Sequence, residues 1–190
     1  DALTTTVPAV NDADSNGVLD NVDAAEAAVV AAEAAEQALK DAIAGKGGII
    51  NPADKAGLDA LKAAVDTAKG TAQGLVDALP STEQTAKDAL DARLDALTTT
   101  VPAVNDADSN GVLDNVDAAE AAVVAAEAAE QALKDAIAGK GGIINPADKA
   151  GLDALKAAVD TAKGTAQGLV DALPSTEQTA KDALDARLDA

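Results

Sequence analysis

The chain has 190 residues, 48% of them apolar, with 14 basic against 33 acidic side chains for a net charge of −19. It contains no Cys, His, Met, Trp, Tyr or Phe, which excludes thiol nucleophiles, His-based acid/base catalysis, His/Cys zinc sites and aromatic stacking platforms. The acidic balance leaves no basic face to neutralise phosphates, so neither nucleic acid nor an anionic membrane is an expected partner, and cations are.

Asp1 to Leu94 recurs without change as Asp95 to Leu188, and Asp189-Ala190 begin a third copy. Identical adjacent copies are the mark of an array. A spacer gains length with each copy, whereas an enzyme gains little, so a non-catalytic role is expected. The chain begins near the end of the last helical pattern of the repeat and leaves that pattern unfinished at Ala190, which suggests a section of a longer array. No apolar run reaches the roughly 20 residues that a membrane span needs, and no signal peptide is visible.

The first helix is expected over about 21–44. Val22, Ala25, Val29, Ala32, Ala35, Leu39 and Ile43 form its apolar stripe, with Glu26, Glu33, Glu36 and Lys40 largely off it. Gly45-Lys46-Gly47-Gly48 ends it. The second helix is expected over about 52–79, with Asn51 as N-cap, Pro52 at the first helical position and Asp54 in the first turn. Leu58, Leu61, Val65, Ala68, Ala72, Leu75 and Leu79 alternate steps of three and four along it, the spacing of a left-handed bundle. At a rise of about 1.5 Å per residue, this helix is about 40 Å long and sets the length of the bundle. Pro80 closes it. The third helix is expected over about 81–97, capped by Ser81 with Gln84 reaching back, and Ala86, Leu90, Leu94 and Leu97 carry its stripe.

These elements imply an all-α protein of tandem three-helix bundles joined end to end. The first repeat covers 1–97, residues 98–105 form a linker, and the second repeat covers 106–190 with its last helix truncated. Pro102 keeps one helix from running through the joint. Gly57, Gly70 and Gly74 inside the second helix each cost about 1 kcal/mol relative to Ala, and permitting close helix crossings is the expected reason for them. Lys62 and Lys69 are expected to be solvated or paired with neighbouring acids.

The most chemically informative segment precedes the first helix. Asp12, Asp14 and Asn16 stand at positions 1, 3 and 5 of a D-x-[DN]-x-[DN]-G pattern, with Gly17 at the sharp turn, the Val18 carbonyl at position 7, Asp20 at position 9 and Asp23 at position 12. Hard oxygen donors at this spacing point to calcium. The second copy offers Asp106, Asp108, Asn110, Val112, Asp114 and Asp117. The spacing resembles EF-hand loops, with Asp in place of the usual final Glu and with a poor helix former, Thr4-Thr5-Thr6-Val7-Pro8-Ala9-Val10, ahead of the loop. The likeness is therefore closest to the loop-plus-exiting-helix half-motifs of dockerins. The alternative is an Asp/Asn/Ser/Gly turn before a helix N-terminus, where acids are favourable anyway. Affinity at the weak end, on the order of 10⁻⁴ to 10⁻³ M, is typical of extracellular modules.

The Ala-rich units, with Gly48-Ile49-Ile50-Asn51-Pro52-Ala53-Asp54-Lys55 opening the long helix and Val76-Asp77-Ala78-Leu79-Pro80 closing it, resemble the helical extender repeats of giant RTX and biofilm-associated surface adhesins. That resemblance implies an extracellular location on a bacterial surface and a monomeric spacer. Calcium bound between neighbouring repeats would stiffen it as it projects a distal binding domain. The alternative reading is a multivalent protein-binding three-helix repeat that recognises a host or matrix protein.

Overall fold

The structure is a computed structural model that describes residues 10–190. The first copy's Thr4 to Ala9 lie outside the described residues. Among those described, the regular elements are all helical: α1 (Asp20–Ala44), α2 (Pro52–Asp77), a 3₁₀ turn (Ser81–Glu83), α3 (Gln84–Asp95), then α4 (Asp114–Ala138), α5 (Pro146–Asp171), a second 3₁₀ turn (Ser175–Glu177) and α6 (Gln178–Leu188). They form two compact units, Asp1–Val104 and Asn105–Ala190.

In the first unit the long pair α1 and α2 lies antiparallel, since Val22 and Ala25 near the start of α1 share a core cluster with Val76 and Leu79 at the end of α2. The signals for this hairpin are local. Gly45 caps α1, and Gly47 and Gly48 follow at φ +63° and +91°, a conformation that favours glycine. Asn51 Oδ1 accepts the Asp54 N–H at 2.8 Å while Asp54 reaches back to the Asn51 N–H, and Pro52 starts α2.

α3 has 12 residues against 25 and 26 in its neighbours, so it covers only half of the hairpin. Leu90 and Leu94 enter the cluster formed by Val22, Ala25, Val29, Ala32, Ala72, Val76 and Leu79. The Lys87 ammonium pins α3 to the end of α2, donating to the Val76 carbonyl at 3.2 Å and Asp77 at 3.0 Å. Arg93 grips α1 with two parallel bonds, Nε to Glu33 Oε1 at 2.8 Å and Nη2 to Oε2 at 2.7 Å. The other half of the hairpin holds a separate cluster of Leu39, Ile50, Leu58 and Val65, and Val101, from the segment after α3, packs against it. Thus Thr98–Val104, expected to be a linker, folds as part of the first unit.

Several local expectations give way. Ser81 and Gln84 form no capping box: Ser81 opens a 3₁₀ turn, α3 starts without a side-chain cap, and Gln84 donates instead to Asp88 at 2.6 Å. On α2 the seam shifts by one residue, burying Val76 fully and leaving Leu75 38% exposed. A straight helix drifts about 20° per heptad against a 3.5-residue repeat, and after two heptads the next position has rotated into the core. Gly57, Gly70 and Gly74 mediate no crossing, because a Cβ added at any of them meets nothing within 4 Å.

The second unit repeats the first cluster as Val116, Ala119, Val123, Ala126, Ala166, Val170, Leu173, Leu184 and Leu188. Arg187 again holds the first long helix of its unit, through Glu127 at 2.8 Å.

Candidate functional site

Three places on the molecule carry polar or apolar groups arranged for more than packing: the acidic loops, the far half of the hairpin, and the outer face of the first long helix.

In the first loop Ser15 and Gly17 take φ +62° and +88°, curling the chain around its own acids. Asp12 accepts the Asn16 N–H at 3.2 Å and the Gly17 N–H at 3.1 Å through its two oxygens. Asp20 Oδ1 accepts the Ala13 N–H at 2.9 Å. Asn16 Oδ1 accepts the Val18 N–H at 2.7 Å, and Asn16 Nδ2 donates to Asp14 at 3.0 Å and Asp23 at 3.2 Å. The second loop reproduces this pattern. Asp106 faces Asn110 and Gly111, Asp114 faces Ala107, and Asn110 Nδ2 bridges Asp108 and Asp117 at 3.1 and 3.0 Å while its Oδ1 accepts the Val112 N–H. Leu19 and Leu113 tuck against the cores of their units. Within each loop the carboxylate oxygens thus turn to backbone N–H groups or to the Asn amide. Among the described residues no three or more acidic side chains are gathered closely enough to hold a metal ion.

The far half of the hairpin holds a residue that the apolar periodicity placed outside. Glu36 belongs to the buried stripe of α1 and is only 8% exposed. Its Oε1 accepts the Thr98 N–H at 2.6 Å and the Thr98 hydroxyl at 2.9 Å, and its Oε2 meets Lys40 Nζ at 2.9 Å. The Thr98 N–H, followed by Lys40, holds the carboxyl down at about 2 against an ordinary 4.5. Nearby, the Arg93 guanidinium holds Glu33 below its usual range, and at the hairpin turn Lys46 does the same for Asp54. The signal for Glu36 is present in the sequence: strict three-four alternation from Val22 through Ala25, Val29 and Ala32 arrives at Glu36, not Ala35. Choosing the apolar neighbour hid it.

The outer face of α1 carries Ala24, Ala27, Ala31, Ala34 and Ala38, all exposed, with Val30 beside them 49% exposed. At helical spacing the alanines share one side of α1, with Asp20 and Asp41 at its ends, Asp23 on its edge beside Ala27, and Glu26 and Glu33 one turn to either side of Val30. The second unit repeats it with Ala118, Ala121, Ala125, Ala128 and Ala132 and with Val124 50% exposed.

No helix of the described residues is long and apolar enough to cross a membrane. No curated protein and no solved structure matches the chain. A family of helical domains does match, once from the first turn of α1 through α3 and the second acidic loop to the start of α4, at residues 22–115, and again at 116–190. The two matches follow one another without a gap, each opening at the same point of the first long helix of its unit and together covering most of the sequence, and the chain therefore belongs to the GA-like domain family.

Proposed function

We propose that the chain is a non-catalytic, multivalent protein-binding repeat, each unit presenting the exposed alanine face of its first long helix to a host or matrix protein. GA-like domains are protein-binding helical modules, which supports this reading. The observation that carries it is the alanine stripe beside Val30 and Val124: on a chain of net charge −19, the same run of small apolar residues, about four turns long, stands exposed in both units. A partner docking there buries aliphatic surface within an acidic rim. Two identical faces on one chain raise avidity without new contacts. An extracellular site on a bacterial surface goes with this role.

Surface plasmon resonance against immobilised serum albumin, fibrinogen and fibronectin tests the reading. Albumin is included because GA modules bind albumin. Binding by the chain to at least one of them, weakened tenfold or more by Val30→Lys with Val124→Lys, supports it. No binding to any of the three, or equal binding by the double variant, sinks it.

A second reading, the calcium-stiffened spacer, is favoured by the loops. In both, an Asn amide N–H₂ group sits between the carboxylates of positions 3 and 12, where a cation would relieve the same repulsion. Calorimetric titration with calcium, alongside Asp12→Ala with Asp106→Ala, separates the readings. Heat from the parent chain and none from the variant supports calcium, and small-angle scattering with calcium or chelator then reads any stiffening.

A further inference from the structure

Asn16-Gly17 and Asn110-Gly111 are the places in the sequence where an Asn is followed by Gly. Asn11 and Asn105 precede Asp, Asn21 and Asn115 precede the β-branched Val inside α1 and α4, and Asn51 and Asn145 precede Pro, which has no N–H. A carboxamide next to the following backbone nitrogen is the setting for succinimide closure, and Gly at the next position puts no side chain in the way of the attacking nitrogen. The surroundings are open as well. Asn16, Gly17, Asn110 and Gly111 are exposed, and a Cβ added at either glycine meets nothing within 4 Å.

We propose that Asn16 and Asn110 are self-modification sites, at which loss of the side-chain amide unlatches the acidic loop for good. The Gly17 nitrogen, its proton lost to water, bonds to Asn16 Cγ. The Cγ–Nδ2 bond breaks, Nδ2 leaves as ammonia with a proton returned from water, and a five-membered imide remains. Water then opens the ring, at Cγ to give Asp or at the backbone carbonyl to give isoaspartate, whose main chain runs through Cγ. One water is consumed and one ammonia released. The fold sets the pace: the Gly17 N–H must first leave Asp12 Oδ2 at 3.1 Å, and the carboxamide must leave the Val18 N–H, Asp14 and Asp23, so closure waits for the loop to open. The second loop holds Gly111 and Asn110 by the same bonds. The step is also one-way. In the Asp product a carboxylate stands where Nδ2 donated to two others, so two charge-assisted hydrogen bonds become like-charge contacts at the start of α1 or α4. Each conversion adds a negative charge to a chain already at −19. The chemistry needs neither a protein partner nor a cation, so it stands or falls apart from both readings above.

The test is tryptic peptide mapping by mass spectrometry of the whole chain, held in chelator at mildly alkaline pH and sampled over weeks, beside the same chain in urea. Cleavage after Arg93 puts Asn110 on a peptide that begins Leu94-Asp95, which separates it from Asn16 by mass. Exchange of NH for O, with isoaspartate among the products, should appear at Asn16 and Asn110 and at no other Asn, several-fold more slowly than in urea. Asp12→Ala with Asp106→Ala, which frees the glycine N–H groups, should bring the folded rate toward that of the urea sample. Asn16→Asp with Asn110→Asp, a mimic of one product, should cut the hydrogen-exchange protection of the Gly17 and Gly111 amides by roughly tenfold or more. The proposal is overturned if the folded chain stays unmodified while the urea sample converts, or if the other Asn residues convert equally. It is overturned as well if the Asp12→Ala, Asp106→Ala chain reacts no faster than the parent, or if the mimic keeps full protection at both glycines.

Discussion

Glu36→Gln, set against Glu130→Gln, turns the two copies into a controlled experiment on one carboxylate. Gln keeps the shape of Glu36, and its carbonyl oxygen in the place of Oε1 can still accept both Thr98 hydrogen bonds, but it removes the charge that Lys40 and the Thr98 N–H stabilise. A carboxyl held at about 2 instead of 4.5 contributes about 3 kcal/mol, at about 1.4 kcal/mol per tenfold change in ionisation constant. Hydrogen bonds to charged groups, at about 1.5–3 kcal/mol each, give the same scale. We expect a loss of about 2–3 kcal/mol in the first unit at pH 7. Glu130 keeps only the i,i+4 pair with Lys134 at 2.8 Å, on exposed side chains, so its replacement costs about 0.5 kcal/mol or less. Because folding depresses the Glu36 value, its contribution is whole above about pH 4.5 and is lost as pH falls toward 2, where parent and Glu36→Gln should converge. Urea unfolding followed at the Ile50 and Ile144 methyls resolves the units, which peptide-level methods cannot do for identical sequences. With a urea slope of about 1–3 kcal/mol/M, the first unit's midpoint should drop by about 1–2 M. Equal losses from the two substitutions, or a Glu36→Gln difference that persists at pH 2, would refute the assigned role of Thr98.

The same urea assay checks three further expectations. Gly57→Ala, Gly70→Ala and Gly74→Ala should each stabilise the first unit by about 0.5–1 kcal/mol, since the added methyl meets nothing and the helix gains propensity; a loss at any of them would mean that something packs there. Asn51→Ala should cost about 1 kcal/mol through the lost cap on the Asp54 N–H, and a neutral result would deny the cap its part in starting α2. Val76→Ala should cost about 2 kcal/mol and Leu75→Ala less than about 0.5, the reverse order being the outcome if the strict heptad seam held.

Legibility followed the range of the signal. Asn51-Pro52 and Gly45 to Gly48 act within one turn of chain, and they placed the ends of α1 and α2 to within a residue or two. The stripes were legible where an apolar residue stood at the core position and failed where polarity and periodicity disagreed. Glu36 lies at a core position but is a carboxylate, and what makes it burial-compatible is Thr98, sixty-two positions away and on no helix. No local pattern carries that information. Leu75 and Val76 are both apolar, so only the accumulated drift of the helix and the arrival of α3 decide between them. In the acidic loop the sharp turn was legible at Gly17, which takes φ +88°, whereas the left-handed Ser15 carries no such signal in its side chain.

The position of Thr98 also explains why the period of the sequence and the period of the fold are offset. α3 is too short to cover the hairpin formed by α1 and α2, so half of each hairpin needs a cover from elsewhere, and the cover in the first unit is the Thr-Thr-Thr-Val segment that opens the second sequence period. A unit is then complete only when the first residues of the following copy are on it. These contacts cross the boundary of the sequence period while lying inside one folded unit. In the first unit the cover is held by one carboxylate and one valine contact, with no aromatic side chain anywhere to reinforce it. Substituting Glu36 or Val101 should therefore release the Thr98–Val104 segment from the hairpin before it unfolds either helix pair.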